Sequence, residues 1–127
     1  MENFILEGTE IVPSINFDAE NGLLKISGRM VSISAIEYSY FGPLLDWVNE
    51  YCSKPAKKTY IEFDMEYLSS GGIMIIHKLL QIFDKLYIKS HDVSVTWHYS
   101  EGDEDTEEKG FQFQDLYKLP IQLVAHS

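Results

Sequence analysis

The sequence predicts an α/β fold: a two-layer domain with a mixed β-sheet and helices on one face. Three observations carry this. Apolar residues alternate with polar ones in Leu24/Ile26/Met30, in Ile61/Phe63/Met65 and in Val93/Val95/Trp97. Strand-like runs are separated by long stretches with helical apolar spacing. The turn signal Asn21-Gly22 joins two of the early runs. Alternation gives each strand one apolar and one polar face, so helices cover one side of the sheet and the other stays open. Strand–helix–strand crossovers place successive strands parallel, whereas the tight turn makes an antiparallel pair, and the sheet is therefore mixed.

The elements follow in chain order. Phe4 to Val12 reads as a short edge strand that Pro13 limits. Ile15-Asn16-Phe17 and Leu23–Met30 form a hairpin around Asn21-Gly22, a pair that tolerates positive φ. Ser34 to Cys52 is a helix with Ile36, Tyr40, Leu44, Trp47, Val48 and Tyr51 near one side. Gly42-Pro43 should kink or restart it, because proline has no N–H to donate. Lys54 to Lys58 is a linker, and Thr59 to Met65 is a strand with Glu62 and Asp64 on its polar face. A second helix runs from about Ser70 to about Ile88, and Asp92–Tyr99 is a strand. Glu101 to Lys109 reads as an acidic, solvated loop, and Ile121–Val124 as a last short strand.

Composition narrows the function. A chain of 127 residues is one domain by length and can bury a core without metals or disulfides. Its 45% apolar and 13% aromatic content argues against disorder. A net charge of −10 excludes nucleic acid as a partner, since phosphate backbones need basic stripes and only Lys54, Lys57 and Lys58 cluster. Cys52 is the single cysteine, so no internal disulfide forms. The N-terminus lacks the layout of a signal peptide, and no apolar run approaches the ~20 residues needed to span a bilayer. The expectation is a cytoplasmic protein with no membrane insertion.

The corner from Tyr67 to Ile76 concentrates the functional signal. There a strand hands over to a helix through Ser69-Ser70-Gly71-Gly72. A helix N-terminus leaves N–H groups unpaired and carries partial positive charge, so it favours an anion, and a phosphoserine is one such anion. Two readings stand side by side. Ser69 and Ser70 can be helix caps, with the glycines making a tight turn. Alternatively Ser70, with Ser69 beside it, is a phosphoacceptor, and two helix-weakening glycines mark close approach by a partner.

Other motifs carry less. Asp103-x-Asp105-x-Glu107 hints at calcium, but Glu108 and Gln114 stand where an EF-hand loop needs Gly and Glu. His77, His91, His98 and His126 lack the spacing of a metal site, so neither a metal nor a cofactor is expected. His77 reads as a packed or rim residue. No nucleophile elbow, P-loop or dinucleotide fingerprint is present. Cys52, near a helix C-terminus, should have a raised thiol pKa through the dipole. A non-enzymatic role is favoured.

Three stretches of the chain resemble the SiaC-type regulatory phosphoproteins, a family similar in fold to anti-sigma-factor antagonists (STAS-like domains). Phe41-Gly42-Pro43-Leu44-Leu45-Asp46-Trp47-Val48-Asn49-Glu50-Tyr51 is similar to the family's first-helix signature. Glu66-Tyr67-Leu68-Ser69-Ser70-Gly71-Gly72 sits where the family has Tyr-Phe-Asn-Thr-Ser-Ser. Val95-Thr96-Trp97-His98-Tyr99, with Asp103-Glu104-Asp105 and Glu108-Lys109-Gly110, resembles its strand and acidic segment. The likeness extends from Gly28 to Gly110. It implies a switch phosphorylated by a protein kinase, reset by a phosphatase, and active when unmodified as a binder of a diguanylate cyclase in cyclic-di-GMP signalling and biofilm control. Ungapped matching puts the acceptor on Ser70 and the family's Asn on Ser69. Gly71, Gly72, Ile73 and Met74 would form the docking rim. The chain departs from the pattern in having Ser for Thr, Gly-Gly for Ser-Ser, and Gly28-Arg29-Met30-Val31-Ser32-Ile33 for Gly-x-Ser-x-Pro-Glu. Two rival readings accompany this one. The open polar face could serve a small ligand or an enzyme with His98 as its titratable group, or the chain could be a structural family member without the switch.

Overall fold

Six strands form one sheet in chain order: β1 (Phe4–Leu6), β2 (Ser14–Asp18), β3 (Leu23–Met30), β4 (Lys58–Leu68), β5 (Asp92–Ser100) and β6 (Ile121–His126). The computed structural model describes residues 1–31 and 35–127, and for residues 35–40 the backbone alone. The expected helix start at Ser34, the Ser32-Ile33 segment and the side chains of Ile36 and Tyr40 lie outside the described residues. β1, β2 and β3 are antiparallel neighbours, whereas β3/β4, β4/β5 and β5/β6 are parallel. Each parallel step is bridged by a helix: α1 (Ala35–Ser53), α2 (Ser70–Ile88) and α3 (Glu104–Leu116).

The hairpin forms as the Asn-Gly signal predicts. Gly22 has φ 67°, and a Cβ there would lie 2.0 Å from the Lys58 carbonyl oxygen. Glycine is therefore required both by conformation and by the approach of β4. The first segment is shorter than expected, pairing only over Phe4–Leu6. β4 and β6 are longer, reaching Leu68 and His126. α1 runs as one helix through Pro43, which is exposed, so the carbonyl left without a donor can turn to water.

The apolar faces of the strands and the inner faces of the helices make one continuous core. At its β1–β2 side Trp47 stacks on Tyr51 at 5.3 Å and meets Phe17 at 5.3 Å. Tyr51 and Thr59 share a buried hydroxyl hydrogen bond of 2.8 Å. At the β5–β6 side Trp97 packs between Phe63 and Phe113. The opposite face of the sheet carries no helix among the described residues. Its side chains pair with one another, as in Lys25–Glu62 at 3.9 Å and Tyr60–Thr96 at 2.7 Å.

The acidic stretch is a helix rather than a loop. Asp103 caps α3, its carboxylate accepting the Thr106 N–H at 3.2 Å and the Thr106 hydroxyl at 2.8 Å. Glu104, Asp105 and Glu107 occupy the first turn, where negative charge complements the helix dipole. Thr106, Gly110 and Phe113 form the thin buried stripe. Gly110 lets the helix lie on Trp97, since a Cβ would come 2.6 Å from the indole Cδ1. Tyr99 donates to Glu107 at 2.7 Å, and that bond raises the phenol's pKa. Replacing Asp103 by alanine should cost about 1 kcal/mol, the usual worth of an N-cap, measurable as a lowered urea midpoint.

Candidate functional site

The described starts of α2 and α3 follow the C-terminal ends of β4 and β5, an edge where open α/β sheets present their sites. At this edge the structure separates the paired serines. Ser69 is the N-cap of α2, in extended conformation at φ −76° and ψ 170°. Its hydroxyl accepts the Gly72 N–H at 3.1 Å, its carbonyl accepts the Ile73 N–H at 3.0 Å, and its own N–H donates to the Met30 carbonyl at 2.9 Å. Ser69 is thus committed to structure. Ser70 is the first helical residue, exposed, and its hydroxyl has no hydrogen-bond partner among the described residues.

The electrostatics at Ser70 suit an added anion. α2 has no acidic residue in its first turn, whereas α3 has three. The N-terminal partial charge of α2 is therefore not neutralised from within the helix. A phosphate on the Ser70 hydroxyl would project outward without displacing a bond that holds the fold.

Around Ser70 the expected rim divides. Met74, one helical turn on and so on the same face, is 56% exposed. Gly71 and Ile73 are half-buried, and Ile73 packs partly on the core. Gly72 is buried, and a Cβ there would meet Met30 Cγ and the Met30 carbonyl oxygen, each at 2.9 Å. Its missing side chain accommodates the end of β3. Gly72→Ala should therefore destabilise the fold by ~1–3 kcal/mol despite alanine's better helix propensity, because the strand carbonyl cannot yield. Thermal unfolding checks this.

Tyr67, at the start of the corner, and Arg29 complete it, a pairing that the sequence did not single out. Tyr67 is 46% exposed, and the Arg29 guanidinium lies 5.1 Å from its ring centroid. Arg29 also donates to the Glu10 carbonyl at 3.1 Å and lies 3.7 Å from Glu66. They enter because β4 continues past Met65 and a register shift at Gly28/Arg29 sets Arg29 beside Tyr67. The length of β4 was the missing signal.

The other candidates are structural. His77 contacts the Tyr117 hydroxyl at 2.9 Å and meets Phe113 edge-on, a packed rim position. Burial pushes the Cys52 thiol up to about 11, with Lys89 opposing, so the thiol stays protonated. An open concavity of about 630 Å³, lined by Glu20, Glu50, Lys54 and Pro55 among others, lies at the opposite end of the sheet from Ser70. No group of three metal-ligating side chains is gathered among the described residues. No described helix is long and apolar enough to cross a membrane.

Comparison with known proteins places this geometry. A family model described as SiaC family regulatory phosphoprotein matches residues 6–126. An uncharacterized protein of Pseudomonas aeruginosa (strain UCBPP-PA14) is 25% identical over 126 residues, covering 99% of this chain and 98% of that protein. The crystal structure of apo-SiaC from Pseudomonas aeruginosa superposes with a TM-score of 0.85 at 22% identity, over 97% of this chain and 98% of that one. A crystal structure of the diguanylate cyclase SiaD in complex with its activator SiaC, also from Pseudomonas aeruginosa, gives a TM-score of 0.87 at 24% identity, over 97% and 99%. At these identities the structural likeness establishes the fold.

Proposed function

The chain belongs to the SiaC family of regulatory phosphoproteins, and from that premise we propose that it is a non-enzymatic switch in which phosphorylation of Ser70 controls docking on a diguanylate cyclase. The observation that carries this reading is the division of labour at the corner. Ser69 caps the helix, while Ser70 is exposed and unengaged among the described residues. A kinase or phosphatase can reach such a hydroxyl without unfolding the helix start.

The physical mechanism is local. Unmodified, the corner offers exposed Met74 and Tyr67 beside a small, uncharged Ser70 side chain. Phosphorylation adds about −1.5 to −2 charges at Ser70, one helical turn before Met74. The helix N-terminus tolerates the phosphate, so the fold persists. The docking surface does not, because apolar contact with Met74 and Tyr67 would require burying a dianion. The SiaD–SiaC complex of the structural neighbour supports a cyclase as the partner class. On this reading the protein works in the cytoplasm as a single STAS-like domain, within reach of a cyclase, a kinase and a phosphatase.

The test is phosphosite mapping by tandem mass spectrometry after incubation with the cognate kinase. The expected product is phosphoserine at Ser70, absent in Ser70→Ala and retained in a folded Ser69→Ala. Modification only at Ser69, or at neither serine, would overturn the assignment.

A further inference from the structure

A bulge turns one aromatic ring out of the core. The buried side chains of β4 include Ile61, Phe63 and Met65, so alternation alone would bury Tyr67 next. The register breaks that pattern. Gly28 pairs with Met65 and Arg29 with Tyr67, which leaves Glu66 as an extra residue on β4. Such bulges re-aim the side chains beyond them. Tyr67 accordingly shares the face of Arg29 and not that of buried Met30, and it is 46% exposed.

Arg29, the single arginine of the chain, holds that ring. Its guanidinium carbon lies 5.1 Å from the Tyr67 ring centroid, its Nε donates to the Glu10 carbonyl at 3.1 Å, and a terminal nitrogen lies 3.7 Å from a Glu66 carboxylate oxygen. The Glu10 bond ties the guanidinium to the β1–β2 connection. That connection is itself clipped to the end of β3, where the Val31 N–H donates to the Ile11 carbonyl at 3.0 Å. A planar guanidinium stacks on an aromatic face, where a lysine offers only a point charge. The Glu66 carboxylate is exposed, and exposed ion pairs add little to stability. The effect of the arrangement is to hold an exposed tyrosine in one pose.

We infer that Tyr67 is the anchor of the cyclase-docking surface and that Arg29 is its positioning residue. This role rests on the Ser70 reading and deepens it. Tyr67 stands three residues before Ser70 and Met74 four after it, so the anchor belongs to the same corner. Tyrosine, methionine and arginine are enriched where protein partners meet, and tyrosine and arginine dominate the energetic hot spots. A side chain held in its binding pose before contact loses less conformational freedom on docking, and the difference appears as affinity. The feature that fits on the cyclase is an apolar pocket for one aromatic ring.

A double-mutant cycle tests this, read by calorimetric titration of the diguanylate cyclase with the unmodified full chain. Tyr67→Ala should weaken binding by ~30-fold or more, as for an interface hot spot. Arg29→Ala should cost ~3–10-fold when Tyr67 is present and less than about twofold in the Tyr67→Ala background, because residues that act through one another are not additive. Arg29→Lys should recover part of the loss, since it keeps a cation over the ring. Circular dichroism verifies that each variant folds, and Arg29→Gln, which keeps a donor for the Glu10 carbonyl, gives the same reading if Arg29→Ala does not. Unchanged binding by Tyr67→Ala, no loss on changing Arg29, or a loss equally large without the tyrosine would overturn the assignment and leave the Ser70 switch standing. Failure of the unaltered chain to bind the cyclase would overturn both.

Discussion

Trp97→Ala should destabilise the protein by ~3–5 kcal/mol, the range for truncating a large buried aromatic. Trp97 is 1% exposed and packs on Phe63 at 5.6 Å and Phe113 at 5.3 Å between ring centroids. Its indole N–H donates to the Thr106 carbonyl at 2.9 Å, joining β5 to the first turn of α3. Alanine would leave a cavity at the contact with Gly110 and remove the indole hydrogen bond to α3. With a urea m-value of ~1–3 kcal/mol/M for a small domain, the midpoint should fall by at least ~1 M. Limited proteolysis should cut α3 first, because it loses its principal seat. Trp97→Phe should cost less, since it keeps most of the ring volume and loses the hydrogen bond. A midpoint within error of the unaltered protein would mean that Trp97 does not hold α3 on the sheet.

The same residue shows how far the sequence could be read. Trp97 shares parity with Val93 and Val95, and that alternation alone placed it in the core. The parity rule likewise recovered the apolar faces of β3 and β4 and the open polar face, and the Asn21-Gly22 turn signal recovered the hairpin. It failed for α3, where charged residues crowd the first turn and the buried stripe is only Thr106, Gly110 and Phe113. Those positions follow an i, i+4, i+7 spacing that a count of acidic residues conceals. Asp103 three residues before Thr106 was the available cap signal.

The candidate site was half legible. A strand–Ser-Ser–helix junction is visible in the sequence, but which serine caps depends on where the first helical residue falls. That is fixed by Met30 approaching Gly72, a contact between distant segments. The glycines read alike as a sequence, yet Gly72 is filled by Met30 while Ser70 and Met74 face outward. The Arg29–Tyr67 contact needs the extra residue Glu66 on β4, which no local pattern specifies.

Phosphorylation at Ser70 should weaken binding to the cyclase by about 100-fold or more, because an unmatched charge at an interface costs several kcal/mol and each 1.4 kcal/mol is tenfold. Ser70→Ala should fold normally and bind as the unmodified protein does. Ser70→Asp should fall between the two, as a carboxylate carries less charge and bulk than phosphate. Circular dichroism of the phosphorylated protein should match that of the unmodified one, since Ser69 rather than Ser70 holds the cap. The most direct measurement is a calorimetric titration of the cyclase with protein phosphorylated only at Ser70, run beside the unmodified form. The account predicts tight binding for the unmodified chain and little or no heat for the phosphorylated one. Equal affinities would contradict it and leave Ser70 as an ordinary first residue of α2.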